Sequence, residues 1–231
     1  MNQLIYERII KTGLLLCLFL ITQSCSKENE PLINEVKLKV GVFGGSVSSF
    51  PESKTVKDVW KTYLNIDVKT CGVGGAGFSS LTYHNVPYQI EKEEIFDVYI
   101  LWDSTNDMVC NVNDSFNKTD ETSQTGGIWK SLEIIRRKNS NALILFFTSL
   151  PRFDSEIYLD KLSYFVENQI YICEQEHIPY LDQYHLCPFN KNNYMQYYLD
   201  DGVHLSEEGY ASIALMQMEF IRENMKEHKF K

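Results

Sequence analysis

Residues 96–102 and 142–147 are almost unbroken runs of apolar, β-favouring side chains. A strand with one wet face alternates apolar and polar positions. A run that is apolar at nearly every step is buried on both faces, which is what a parallel sheet covered by helices requires. Segments 36–43, 66–71 and 178–181 also read as strands, and the first two stop at glycine-rich turns. Segments 53–64, 127–138, 155–176 and 206–225 carry apolar residues at helical spacing, with Ser53 and Ser206 in N-cap positions. The polar stretch 109–125 reads as a long surface loop. This alternation predicts one α/β domain over residues 35–231, a flavodoxin-like three-layer α/β/α sandwich around a five-stranded parallel sheet. Such sheets meet their ligands at the carboxyl ends of the strands.

The residues before 35 have a different character. Arg8 and Lys11 precede the apolar run 13–21, far short of the about 20 residues that span a bilayer but long enough for a signal-peptide core. Ser24-Cys25 follows and resembles the lipobox of bacterial lipoproteins, with Thr22 where a leucine is usual. The polar tail after Cys25 resembles the surface-export tags of Bacteroidota lipoproteins. These resemblances imply a signal peptide over 1–24, lipidation of Cys25 and a flexible tether over 25–34. The domain is then expected to be secreted across the inner membrane and held in the cell envelope at the outer membrane by its lipid.

Charge narrows the partners. Twenty-two basic against 31 acidic side chains give a formal net charge of −9, a field that repels nucleic acid. Six cysteines are too few for a disulfide scaffold. With Cys17 in the signal and Cys25 lipidated, Cys71, Cys110, Cys173 and Cys187 remain, either as buried thiols or with a Cys173–Cys187 bridge, the pair closest in sequence. No C-x-x-C suggests zinc or redox work.

Four turns hold the residue types that chemistry needs. They are Phe43-Gly44-Gly45-Ser46 after the first strand, Gly72-Val73-Gly74-Gly75-Ala76-Gly77 after the second, Trp102-Asp103-Ser104-Thr105-Asn106-Asp107 after the third, and Asp201-Gly202-Val203-His204 before the last helix. Each alone reads equally well as a tight turn or a solvated loop. Together they fall at one end of the sheet, and in this order they resemble the four blocks of the SGNH/GDSL hydrolases, most specifically over 201–210. Two positions depart from the family pattern: Gly45 stands where an Asp is usual, and Ser104 where a Gly is usual.

The resemblance implies a serine ester hydrolase with no cofactor and no metal. Ser46 is the nucleophile, His204 its base and Asp201 the orienting carboxylate. The backbone N–H groups of Ser46 and Gly75 and the side-chain amide of Asn106 form the oxyanion hole, with Gly74 the near competitor of Gly75. Phe78, Trp102, Thr105 and Leu205, beside the blocks, are expected at the acyl pocket. The residue chemistry agrees with this. A serine hydroxyl is a poor nucleophile without an adjacent base, an imidazole base needs a carboxylate to fix its tautomer, and the tetrahedral oxyanion needs converging donors.

Envelope location favours short acyl groups on polysaccharide as the substrate, acetyl above all. The other function class is a catalytically silent fold that binds glycans through its aromatics, 14 Tyr, 13 Phe and 3 Trp. Gly72-Val73-Gly74-Gly75-Ala76-Gly77 also satisfies the dinucleotide fingerprint G-x-G-x-x-G, but only nine residues lie between Gly77 and Pro87, too few for the helix a pyrophosphate sits on. His84, His177, His185 and His228 read as surface or structural residues.

Overall fold

The computed structural model describes residues 37–230, apart from 104, 111, 113 and 114. The expected signal peptide, the lipidation site Cys25, the tether and the Ser104 departure therefore lie outside the described residues.

Five parallel strands form one sheet in the order β2-β1-β3-β4-β5. They are β1 (Lys39–Gly44), β2 (Asp67–Thr70), β3 (Val98–Trp102), β4 (Leu143–Phe147) and β5 (Tyr180–Leu181). Register runs Val42↔Ile100 between β1 and β3 and Ile100↔Leu145 between β3 and β4. The helices are α1 (Ser46–Ser49), α2 (Lys54–Leu64), α3 (Val86–Lys92), α4 (Asn106–Val109), α5 (Gln124–Lys138), α6 (Glu156–Gln175), α7 (Gln183–Leu186) and α8 (Glu207–Glu227). The fold is the expected α/β sandwich with helices on both sheet faces.

The unbroken strands explain the two core layers that cover the faces of the sheet. Val98, Ile100 and Trp102 of β3 point to one face, where they meet Trp60 of α2 and Tyr210, Ile213 and Ile221 of α8. Tyr99 and Leu101 point to the other, against Ile90 of α3 and Ile128 and Ile135 of α5. Full burial of one such side chain stabilises by about 1.5–3 kcal/mol, so these two layers hold the strand ends rigid. The edge strand β2 differs: only Val68 is buried, while Asp67, Lys69 and Thr70 face water.

Local signals held unevenly. Ser206 caps α8 by accepting a bond from the Gly209 N–H. Ser53 precedes α2 without capping it. Its hydroxyl is taken instead by the Phe50 carbonyl at 2.6 Å and the Lys57 ammonium at 2.8 Å. The helix expected from residue 127 begins at Gln124, because Ser123 accepts from the Gly126 N–H and caps it there. Helix α3, capped by Asn85, was not expected. Cys173 lies in the core layer of α3 and α5 while Cys187 packs against the opposite layer, so the two are free thiols. Cys71 and Cys110 are free as well.

Candidate active site

The turn of Ser46, the candidate nucleophile, is fixed from below. Gly44, the last residue of β1, accepts hydrogen bonds at its carbonyl from the Val73 N–H at 3.0 Å and the Gln89 side-chain amide at 3.0 Å. Its N–H donates to the same Gln89 at 3.2 Å. Gly45 carries no carboxylate, and its carbonyl accepts from the hydroxyls of Ser48 and Ser49. Ser46 then opens α1, so its N–H has no carbonyl a turn earlier to pair with. Its side chain is half-buried, open to a substrate.

The candidate base comes from the other end of the chain. His204 Nε2 lies 2.9 Å from Ser46 Oγ, and His204 Nδ1 lies 2.6 Å from Asp201 Oδ2. Asp201 Oδ1 accepts from the N–H groups of Val203 at 2.8 Å and His204 at 2.9 Å. Partial burial works to raise the Asp201 carboxyl, but the hydrogen bonds from the His204 ring and from these two N–H groups outweigh it and hold the carboxyl below its ordinary range. It is therefore an anion at neutral pH, as an imidazolium partner must be. The turn is buttressed by the loop after β4, where the Phe153 N–H donates to the Gly202 carbonyl at 2.7 Å. The Tyr210 hydroxyl of α8 donates to the Val47 carbonyl at 2.7 Å, tying the last helix to the nucleophile's own. One face of the His204 ring is covered by Phe50, stacked at 4.5 Å between centroids and 15° between planes.

Blocks two and three interlock. Gly75 sits at an exposed turn with φ of +82°, in the left-handed region that favours glycine. The Asn106 side-chain amide donates to the Ala76 carbonyl at 2.8 Å, which aims it at that turn. The next residue, Asp107, is fully buried and accepts from the N–H groups of Phe78 at 2.7 Å and Ser79 at 2.9 Å. Burial pushes its carboxyl up to about 6, against the pull of those bonds and one from Gln124. A Cβ at Gly77 would stand 2.4 Å from Asp107 Oδ1, so only glycine lets the two loops close.

The structure thus brings Ser46, Gly75, Asn106, Asp201 and His204 to one edge of the sheet. The other four expected residues are buried. Phe78, Trp102 and Leu205 have no exposed surface and belong to the core layers, Phe78 stacked on Phe146 and Trp102 beside Trp60 and Phe147. Thr105 is buried and accepts from Arg152 at 2.7 Å. Residues that flank a strand end inherit the strand's inward direction, which the sequence neighbourhood of a block does not reveal. Sequence reasoning passed over Phe50, Gln89 and Asp107. The signal for Asp107 was present, since a carboxylate beside a glycine-rich turn finds backbone N–H donors. Among the described residues, no group of three or more His, Cys, Asp or Glu side chains is placed to hold a metal, and no helix is long and apolar enough to cross a membrane.

A profile of the GDSL-like Lipase/Acylhydrolase family matches residues 43–212, from the end of β1 into α8. The chain belongs to this family. Solved structures with the same fold include a protein from Lactobacillus plantarum, at 15% identity and a TM-score of 0.70 over 82% of this chain and 99% of that one. The lipase/acylhydrolase from Enterococcus faecalis is similar at 15% identity and a TM-score of 0.61, over 84% and 98% of the two chains. A member of the lipolytic protein G-D-S-L family from Veillonella parvula gives 18% and 0.61 over 78% and 96%. No curated protein sequence matches the chain. As a family member this chain is an SGNH hydrolase in fold, and membership points to acylhydrolase activity.

Proposed function

We propose that the protein is a serine ester hydrolase that removes acetyl or other short acyl groups from carbohydrate. The observation that carries the catalytic reading is the unbroken relay from Ser46 Oγ through both nitrogens of His204 to Asp201. A fold kept only for binding has no need of a hydroxyl, an imidazole and a carboxylate at 2.9 and 2.6 Å. In this mechanism Ser46 Oγ attacks the ester carbonyl while its proton passes to His204 Nε2. The oxyanion is held by the Ser46 and Gly75 N–H groups and the Asn106 amide, and the imidazolium returns its proton to the departing alkoxide. Water then gives a proton to His204 and attacks the acyl-enzyme; the imidazolium passes that proton to Ser46 Oγ as the acyl bond breaks, releasing the carboxylic acid.

The carbohydrate reading has its own support. The loop leaving Gly77 carries Tyr83 and His84, and the first turn of α3 adds Tyr88, so the three rings stack as a ladder with centroids 3.9 and 5.1 Å apart. Tyr83 is 66% exposed, and a flat, amphipathic ring is what the C–H face of a sugar packs on. The ladder is tied to the site, because Gln89 donates to the His84 carbonyl as well as to Gly44. Ser24-Cys25 after the apolar run 13–21 places the domain, in this reading, on a lipid anchor in the cell envelope.

A fluorophosphonate probe tests the catalytic part: it is expected to label the wild type and not Ser46→Ala. Folded wild-type protein that takes no label would return the fold to a glycan binder. Release of acetate from acetylated xylan, pectin or peptidoglycan tests the substrate class, and turnover confined to long-chain esters would overturn it.

A further inference from the structure

We propose that Phe50 is a positioning residue for the base, holding the His204 ring in plane with the nucleophile and favouring the charge it acquires. This rests on the catalytic reading above. Imidazole nitrogens donate and accept in the plane of the ring, so the two hydrogen bonds of His204, to Ser46 at 2.9 Å and to Asp201 at 2.6 Å, are edge contacts. They fix two points of the ring and leave it free to tilt about the line joining them. Only a contact on the face resists that tilt, and Phe50 supplies one, parallel to within 15° at 4.5 Å.

Phe50 is itself fixed to the nucleophile. It closes α1, whose first residue is Ser46, and its N–H donates to the Ser46 carbonyl at 2.7 Å. One helical turn therefore carries the nucleophile at its start and the aromatic face at its end. Pro51 follows and disfavours the helical conformation for Phe50, whose ψ is 144°. The turn is pinned underneath: Ser53 donates to the Phe50 carbonyl from its N–H at 3.0 Å and its hydroxyl at 2.6 Å. The buried ammonium of Lys57 donates to that hydroxyl at 2.8 Å and to the Ser48 carbonyl at 2.7 Å.

A second effect follows from the same geometry. The face of a benzene ring is electron-rich and attracts a cation. His204 is neutral before attack and an imidazolium once it holds the Ser46 proton, so the stack is stronger in the transition state than in the ground state. An interaction of that kind appears in kcat rather than in KM.

The test compares Phe50→Leu, which keeps bulk without a π face, with Phe50→Tyr, which keeps the face, in the full chain with p-nitrophenyl acetate. The expected result is a fall in kcat of about 3- to 30-fold for Phe50→Leu. KM should stay within about twofold and Phe50→Tyr should restore most of the rate. Phe50→Met covers the case in which the leucine variant fails to fold. An unchanged kcat in both aliphatic variants, or a change confined to KM, overturns the proposal, the latter making Phe50 a wall of the acyl site. If the wild type neither hydrolyses the ester nor takes the fluorophosphonate, the catalytic reading has failed. The stack is then judged by the His204 ring-proton resonances, which should move downfield in Phe50→Leu if the face contact exists and stay put if it does not.

Discussion

Two Asp-x-x-His turns follow one another in this protein, and only the later one brings its imidazole to a serine hydroxyl. In Asp201-Gly202-Val203-His204 the imidazole Nδ1 lies 2.6 Å from the carboxylate. In Asp182-Gln183-Tyr184-His185, just after β5, the same atoms are 2.7 Å apart. Each Asp also accepts from the backbone N–H of its own histidine, at 2.9 and 3.2 Å. The pair is thus a local product of the four-residue spacing, available wherever an Asx-type turn forms. The difference lies in which partner is sheltered. His204 is 22% exposed and its Asp 48%, whereas His185 is 56% exposed and its Asp 23%. In the first turn the imidazole points inward, to Ser46 and Phe50; in the second the carboxylate points inward, to cap α7. A catalytic base is made by what reaches it from the far side of the chain.

Substitutions in the two turns should therefore diverge. Ser46→Ala or His204→Ala is expected to lower kcat on the order of a millionfold, while His185→Ala changes it by less than about twofold, as ester hydrolysis assays would show. A large loss at His185 would make the second turn part of the site. Asp201→Asn should cost on the order of 10⁴ in kcat by leaving the wrong tautomer, and Asp182→Asn should leave kcat alone. Asn106→Ala is expected to cost about 10²–10³ in kcat with little change in KM, and a loss confined to KM would take Asn106 out of the oxyanion hole.

Stability should separate the regions as well. Asp107, which pins block two to block three, has a folded-state carboxyl raised to about 6. Its contribution is then fully present below the unfolded value of about 4 and lost as pH rises through about 6. The advantage in melting midpoint of wild type over Asp107→Asn should shrink between pH 4 and 7, and a constant difference would contradict the shift. The smallest effect belongs to the second turn: Asp182→Ala removes the α7 cap and should cost about 1 kcal/mol in chemical denaturation with kcat unchanged.

What could be seen in the sequence, and what could not, follows a physical line. The strands were visible because burial on both faces writes itself into consecutive residues, as in 98–102 and 143–147. Ser46, Gly75, Asn106, Asp201 and His204 were named through the resemblance of four turns, in their order along the chain, to the blocks of the family. The side chains around them were not. Trp102 and Leu205 sit beside block residues in sequence yet turn into the core, and Phe50 is one aromatic among 30 until the fold lays it on His204. The hydroxyl of Ser53 looked like a cap and serves the Phe50 turn, because Lys57 and the Phe50 carbonyl compete for it more closely than the helix does.

Ser46 and the His204 that reaches it are separated by 158 residues. During synthesis the serine leaves the ribosome early and the histidine arrives only with the final helix, so no incomplete chain holds a working relay. The same separation makes ester turnover a gauge of global integrity: a nick or a frayed end that loosens α8 should silence the site while most of the sheet still stands.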